Sequence, residues 1–340
     1  MKHVDVVIIG AGPAGSVCAY FLKKAGVDCL LVDRATFPRD KLCGGGLTPM
    51  AWMLLDKLIP GIRYEYNSLH RIKLTIEGIR SCEFDTAIEM RIVRRKDFDN
   101  TLLEAYKAAG GSFLHDGFHC YEETPDGLVV TLKSGGQVAC RYLVGADGSN
   151  STVRRQLTGR RDNGILIMEQ FVEKSPENAI EVTLSRQYGV SGYFYRFPNS
   201  ESDAIGYGDM LSTKPDKFRN ILKQKGIPET KLRGCYVYLK NDYPLNDHII
   251  LIGDAGGFAS RTTSEGIKPA FISARNAAEA IVSGRPFSET NARLFKKMKR
   301  SARFADFFFN ATSLWLLGQL CRWPSLIKWR FDRAVRPRKL

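Results

Sequence analysis

The chemistry of this chain opens on three glycines. In Gly10-Ala11-Gly12-Pro13-Ala14-Gly15, Gly10 permits a tight turn, Gly12 lets a pyrophosphate approach the backbone, and Gly15 lets a following helix sit close to the preceding strand. Phosphate charge then meets free amides at the helix N-terminus, around Pro13 and Ala14. Asp33, 18 residues after Gly15 and followed by Arg34, carries a carboxylate placed to accept from ribose hydroxyls. These residues suit dinucleotide binding, and taken alone they serve NAD and FAD equally. Two more acidic turns, Asp147-Gly148 and Gly253-Asp254, close apolar runs far downstream, although Asp and Gly are also the residues ordinary turns prefer.

Particular elements must position these residues. Val4 to Ile9 is a short β-branched run of the kind a central parallel strand requires. The pattern predicts a helix over Pro13 to Lys24 and a second buried strand over Cys29 to Val32. Strand, turn, helix, strand and acid thus stand in the order of a dinucleotide-binding unit. Arg141 to Gly145 and Ile249 to Ile252 predict the strands that lead to Asp147 and Asp254. Tyr193, Tyr195 and Phe197 alternate along another strand and therefore share a face. That face either floors an apolar pocket or belongs to ordinary sheet core. No second G-x-G-x-x-G follows a strand, so NAD(P)H or another reductant would visit as a transient electron donor without a domain of its own.

Several longer segments resemble known patterns. Arg141 to Arg154 looks like the Asp-Gly signature of the flavoprotein hydroxylase superfamily, and Ile249 to Ala255 resembles its Gly-Asp signature. Arg95-Lys96-Asp97-Phe98-Asp99 matches the superfamily's Arg-x-x-Phe-Asp helix opening. More narrowly, Pro38-Arg39-Asp40-Lys41-Leu42-Cys43-Gly44-Gly45 resembles the Pro-x-x-Lys-x-Cys-Gly-Gly loop of geranylgeranyl reductases. Tyr193-Phe194-Tyr195-Arg196-Phe197-Pro198, with Gly206 and Gly208, resembles that family's Tyr-x-Trp-x-Phe-Pro and Gly-x-Gly pattern. The departure is Tyr195, where the family has tryptophan; it bears on a prenyl substrate more than on a flavin. The matched segments span residues 4–267, and the chain from about Ala277 is matched only loosely.

The resemblance implies an α/β fold with a glutathione-reductase-like FAD-binding Rossmann domain, an antiparallel-sheet substrate domain and a helical C-terminal tail. It implies FAD as cofactor, with Asp254 on a ribityl hydroxyl, Gly266 and Ile267 offering backbone amides near the isoalloxazine, and Asp147 in the first signature turn. Arg95 is implied beside the flavin and its diphosphate, or else belongs to a solvated basic edge with Arg91, Arg94 and Lys96. The glycines after Cys43 suit a loop pressed against a flat ring, so Gly44 and Gly45 join the implied cofactor contacts. Cys43 either bonds or protonates near flavin N5, or fills space as a small buried hydrophobe. Cys43, Tyr193 and Tyr195 are the candidate catalytic residues. The implied reaction is reduction of carbon-carbon double bonds in an apolar isoprenoid or lipid-like substrate by hydride from reduced flavin. A monooxygenase of the same fold stays open, and a flavin electron carrier or redox-responsive binding protein is the rival from another class. Flavin halogenases carry two tryptophans where this chain has Tyr193 and Tyr195, which disfavours halogenation.

Length and composition set the bounds. A chain of 340 residues, 44% apolar and 25% charged, is expected to form about two domains of a soluble globular protein. Eight scattered cysteines without a Cys-x-x-Cys pair argue for a reducing cytoplasm and against structural zinc. The first apolar run is too short for a signal peptide. A net charge of +14 points to an anionic partner, and much of the excess lies between Lys296 and Lys339. Phe304 to Leu320 within it is aromatic, yet short of the ~20 residues a spanning helix needs. Residues 296–340 therefore either lie on an anionic membrane surface or cap the core with their aromatics. The basic residues show no recognition module, which argues against nucleic acid. The expected organisation is an FAD-binding domain from residues 1–75, 91–160 and 245–285, a substrate-binding sheet from 76–90 and 161–244, and a basic helical tail from 286–340. The expected location is cytoplasmic, peripheral at the inner face of the membrane if the tail binds lipid.

Overall fold

The computed structural model describes all residues except 161–164, 186–191, 210–213, 240–243, 245, 264 and 337–340; Arg338 and Lys339 of the basic tail thus lie outside the described residues. The chain divides into two compact units. The first comprises Met1–Arg39, Lys96–Gly164 and Val237–Ala302, the second Asp40–Arg95, Ile165–Tyr236 and Arg303–Leu340.

At the centre of the first unit lies Lys2–Ile9, whose Val6, Val7 and Ile8 are wholly buried, as a strand covered on both faces requires. It pairs in parallel with Cys29–Asp33 on one side and Gln137–Gly145 on the other, and Ser112–His115 extends the parallel order beyond Cys29–Asp33. The far edge of Gln137–Gly145 changes partner along its length. Its first residues pair antiparallel with Gly127–Leu132, while Leu143 to Gly145 pair in parallel with Ile249–Leu251. Register therefore brings Ile9, Val32, Gly145 and Leu251 to one carboxyl edge, where ligands of open α/β sheets bind. Helix Pro13–Lys24 starts on a proline, whose missing N–H costs nothing there, and ends with Lys23 and Lys24 facing the negative end of its dipole. It packs against helix Ile267–Ser283. Ala14, Gly15 and Ala19 on one helix, and Ala270, Ala274 and Ala277 on the other, are all buried, so the axes can approach closely.

The second unit is an eight-stranded sheet in the order Arg233–Val237, Ile165–Val172, Asp203–Gly208, Tyr193–Pro198, Ile180–Leu184, Asn67–Ile76, Arg80–Ile92, Gly46–Leu47. Helix Pro215–Gln224 covers one face, where Phe218 and Ile221 join Phe194, Ile205 and Tyr207 in a core cluster. Each such large apolar side chain contributes about 2 kcal/mol on burial. Helices Ala311–Leu320 and Pro324–Val335 pack on the strands Asn67–Ile76 and Arg80–Ile92. There Leu314 and Cys321 meet Ile76 and Cys82, Phe331 meets Phe84 at 5.7 Å, and the buried Asp332 accepts from the Ala87 amide at 2.9 Å.

The α/β architecture with a helical C-terminal region is as the sequence implies, but several boundaries differ. Residues 40–75 and 91–95, expected in the FAD domain, group with the second unit, because Asn67–Ile76 hydrogen-bonds along Arg80–Ile92 and Gly46 pairs with Ile92. The expected tail 286–340 is divided. Phe287 and Phe295 join Phe258 in the first unit, whereas residues from Arg303 onward group with the second. The expected antiparallel sheet also contains one parallel pairing, Ile180–Leu184 with Asn67–Ile76.

Candidate functional site

At the carboxyl edge of the first unit the chain turns on Gly10, held at φ +104°; a Cβ there would lie 2.4 Å from the Ala146 carbonyl oxygen. At Gly15 it would lie 1.7 Å from the Gly10 carbonyl oxygen. Gly12 differs, since its Cβ would meet only the Arg39 guanidinium at 3.5 Å, leaving open space over the turn. Asp33 braces this turn. Its Oδ2 accepts from the Ala11 amide at 2.7 Å and its Oδ1 from the Ala35 amide at 2.8 Å. Each oxygen keeps a further lone pair for a ribose hydroxyl. Arg34 is exposed, and its carbonyl lies 3.1 Å from His115 Nε2.

The two downstream turns converge on the same edge. Asp147 Oδ2 accepts from the Thr152 amide at 2.6 Å, capping helix Thr152–Thr158 together with Ser151, whereas its Oδ1 is buried without a partner. Burial pushes the Asp147 carboxyl up, against the Ser151 hydroxyl and the Thr152 amide. A buried acceptor with nothing to accept is costly, so a donor from a bound group fits there. Ser149 Oγ donates to Asp254 Oδ2 at 3.4 Å, and a Cβ on Gly266 would sit 3.2 Å from Asp254 Oδ1. Gly253, at φ +57°, packs by Ala14. Gly266 caps helix Ile267–Ser283, and Ile267 begins it. The first unit thus gathers Gly10, Gly12, Pro13, Ala14, Gly15, Asp33, Asp147, Gly253, Asp254, Gly266 and Ile267, an edge whose glycine cradle, N-terminal helix amides and unpaired acceptor fit a dinucleotide such as FAD.

Two arginines without an assigned role hold this edge together. Arg154, 2% exposed, donates to the Ala255 carbonyl at 2.9 Å and to the Ser149 carbonyl, and lies 3.6 Å over the Tyr238 ring. It therefore ties the Asp147 turn to the Asp254 turn. Arg39 pairs with the buried Asp99 at 3.2 Å and reaches over Gly12. Both stand inside quoted motifs, but only the fold shows which carbonyls and carboxylates they meet.

In the second unit Cys43, Gly44, Gly45, Tyr193 and Tyr195 form another cluster. Tyr193, Tyr195 and Phe197 do share a face, with ring centroids 5.8 and 5.0 Å apart. The glycine loop lies on it, since a Cβ on Gly44 would meet the Phe197 ring at 2.4 Å and the Tyr195 ring at 3.1 Å. A Cβ on Gly45, at φ +72°, would lie 1.9 Å from the Val93 carbonyl oxygen. Tyr195 is thus 5% exposed, while Tyr193 stays half-buried. The register aligns Glu169, Gly206 and Tyr195 across three strands. Because Gly206 has no side chain, the Tyr195 ring crosses it, and its hydroxyl donates to Glu169 Oε2 at 2.5 Å. Glu169 Oε1 accepts from the Cys43 amide at 3.0 Å, and Cys43 Sγ accepts from the Gly45 amide at 3.4 Å.

Glu169 is 1% exposed, and burial pushes its carboxyl up to about 7, against the Tyr195 hydroxyl, the Cys43 amide and the charges of Arg233 and Arg95. Burial and the Glu169 charge also push the Tyr195 phenol well up. Arg95, half-buried, groups with this cluster through its charge on Glu169. Of the basic edge around it, Lys96 is exposed while Arg91 and Arg94 have partners. Arg91 lies 3.9 Å over Trp52 and 4.2 Å over Tyr66 while bonding Glu89, and Arg94 pairs with Glu201. Glu169 was missed from sequence, although a Glu-Gln pair inside the apolar run Ile165–Val172 was the available signal.

The FAD binding domain family matches residues 3–174. A protein of Methanosarcina barkeri that carries no functional name is 33% identical over 308 residues, covering 83% of this chain and 76% of its own. A menaquinone reductase of Mycobacterium tuberculosis is 36% identical over 171 residues, 46% of this chain and 40% of that protein. The chloroplastic geranylgeranyl diphosphate reductase of Oryza sativa is 27% identical over 324 residues, 83% of this chain and 67% of that protein. Among solved structures, a geranylgeranyl bacteriochlorophyll reductase-like protein of Thermoplasma acidophilum has the same fold, with a TM-score of 0.73 at 18% identity over 98% of this chain and 91% of that one. The chain belongs to the FAD binding domain family and is an FAD-dependent oxidoreductase, similar to geranylgeranyl diphosphate and menaquinone reductases.

Proposed function

We propose that this protein reduces carbon-carbon double bonds in an apolar isoprenoid chain. The observation that carries the reading is the aromatic row of Tyr193, Tyr195 and Phe197 joined to a buried proton-bearing cluster at the Cys43 loop. An alkene needs a hydride and a proton, and apolar walls that exclude water. Gly10, Gly12 and Gly15, with the amides after Pro13, would hold the pyrophosphate, Asp33 a ribose, and Asp254 with Gly266 and Ile267 the flavin end. When bound, FAD supplies the hydride, after reduction by NAD(P)H or another transient donor. The aromatic row orients the apolar chain, and the phenol and carboxyl beside it carry the proton. Anaerobic mixing of the chemically reduced, FAD-loaded protein with geranylgeranyl diphosphate is expected to reoxidise the flavin and give a product two hydrogens heavier by mass spectrometry. Reoxidation only by air, accelerated by the lipid, would instead identify a monooxygenase.

The apolar substrate is reached from an anionic membrane surface. Among the described residues no helix is long and apolar enough to cross a membrane. Yet while helices Ala311–Leu320 and Pro324–Val335 pack on the sheet, Phe307 77%, Trp315 52%, Trp323 56% and Trp329 51% stand exposed. Arg303, Arg322, Arg330 and Arg333 stand exposed among them. Aromatics at headgroup depth flanked by cations match an anionic bilayer, where each basic residue contributes about 1 kcal/mol. Wild-type protein is expected to sediment with phosphatidylglycerol vesicles, but not with neutral ones at high salt. Replacing Trp315, Trp323 and Trp329 together by Glu should weaken that binding at least ~10-fold. Unchanged sedimentation removes the membrane reading.

A further inference from the structure

The carboxyl of Glu169 lies in a setting that no flavin-binding motif explains. It is buried in the sheet, held from one side by the Cys43 amide and from the other by the Tyr195 hydroxyl. The groups facing it are Tyr195 from one strand, Arg233 from another, Arg95 from its helix and the Cys43 amide from the loop, while Tyr193 faces Tyr195. Arg233 is engaged by Asp40 at 3.5 Å. A purely structural role would be served by an amide, whereas a buried carboxyl carries a desolvation penalty. Gly206 is what lets the phenol reach it.

We propose that Glu169 is the internal proton reservoir of the reduction, a positioning and proton-supplying residue acting through Tyr195; this rests on the alkene-reductase reading above. With reduced FAD bound, hydride would be supplied to one alkene carbon, and the Tyr195 O–H bond would break as the second carbon gained its proton. With Glu169 protonated the bond between them reverses, Oε2–H donating to the phenol oxygen, and the phenol takes that proton in the same motion, because burial beside a carboxylate disfavours a free phenolate. Solvent then returns one proton to Glu169. The sum is one hydride and one proton added to the alkene, with reduced flavin oxidised. Tyr195, standing where the resembled family has tryptophan, gives this chain the hydroxyl that meets Glu169.

The test compares wild type, Glu169→Gln and Tyr195→Phe, all FAD-loaded. Glutamine keeps an oxygen to accept from Tyr195 or Cys43, so the fold has a conservative variant. Infrared difference spectra across pH about 5.5 to about 9 are expected to show a protonated-carboxyl band that titrates near 7 and is missing in Glu169→Gln. In anaerobic mixing with geranylgeranyl diphosphate, the wild-type reoxidation rate should fall with rising pH through that same titration. Glu169→Gln should be slower by ~10² and lose the bend, and Tyr195→Phe should do likewise while keeping the infrared band. A wild type that reduces the alkene with a Glu169→Gln variant equal in rate and pH profile, or with no titrating band, overturns the reservoir and leaves the reductase standing. A wild type that the alkene never reoxidises overturns the reductase, and the reservoir with it.

Discussion

Gly12→Ala is expected to fold normally and to purify without flavin, whereas Gly15→Ala is expected to lose both flavin and fold. The contrast follows from what each methyl group meets. At Gly12 the backbone is ordinary and the nearest atom, on Arg39, is 3.5 Å away, which is ordinary van der Waals contact. The added carbon instead fills the space a pyrophosphate needs to reach the turn. At Gly15 it would overlap the Gly10 carbonyl at 1.7 Å and also press on Ala146. Helix Pro13–Lys24 would have to move off the strand, at a cost of about 4 kcal/mol or more. Flavin absorbance of the purified protein and its thermal unfolding curve separate the two effects. A Gly12→Ala variant that retains stoichiometric FAD would place the pyrophosphate elsewhere.

Gly206→Ala is expected to disable the second cluster without touching the first. Its Cβ would fall 2.0 Å from Tyr195 Cζ, and Gly44 already closes the other side of that ring. The phenol must swing away, which costs about 1–3 kcal/mol in overpacking and leaves Glu169 buried without its donor, a further ~1–3 kcal/mol. Urea unfolding should therefore show a larger loss than Tyr195→Phe, which removes the hydroxyl but leaves the ring in place. FAD content should stay near wild type while alkene-dependent reoxidation falls by at least ~10². A Gly206→Ala variant with wild-type stability would mean the tyrosine ring lies elsewhere in solution.

The cradle of the first unit was readable because its chemistry is local. Gly10, Gly12 and Gly15 sit within six residues, helix Pro13–Lys24 follows at once, and the strands before and after declare themselves by short β-branched runs. Asp147 and Asp254 are legible in the same way, since each follows an apolar strand in an acidic turn. Local rules set such features within a few residues, so spacing alone reveals them. The alternation of Tyr193, Tyr195 and Phe197 was legible for the same reason, because the period of a strand does not depend on its neighbours.

Pairing between distant strands was not legible. Nothing in the composition of residues 40–75 says that Asn67–Ile76 will hydrogen-bond along Arg80–Ile92 and group them with the second unit. Glu169 could be seen as an oddity in an apolar strand, yet only the register that sets it beside Gly206 and across from Tyr195 turns it into a buried acid. Its raised affinity for a proton is a property of the environment, created when long-range contacts remove water from the carboxyl. The same holds for Arg154, whose guanidinium gains its meaning from carbonyls about 100 residues away. Backbone freedom and short-range periodicity suffice to read the glycine turn, whereas which side chains share a water-free interior depends on desolvation and register, both set by segments far apart in the chain.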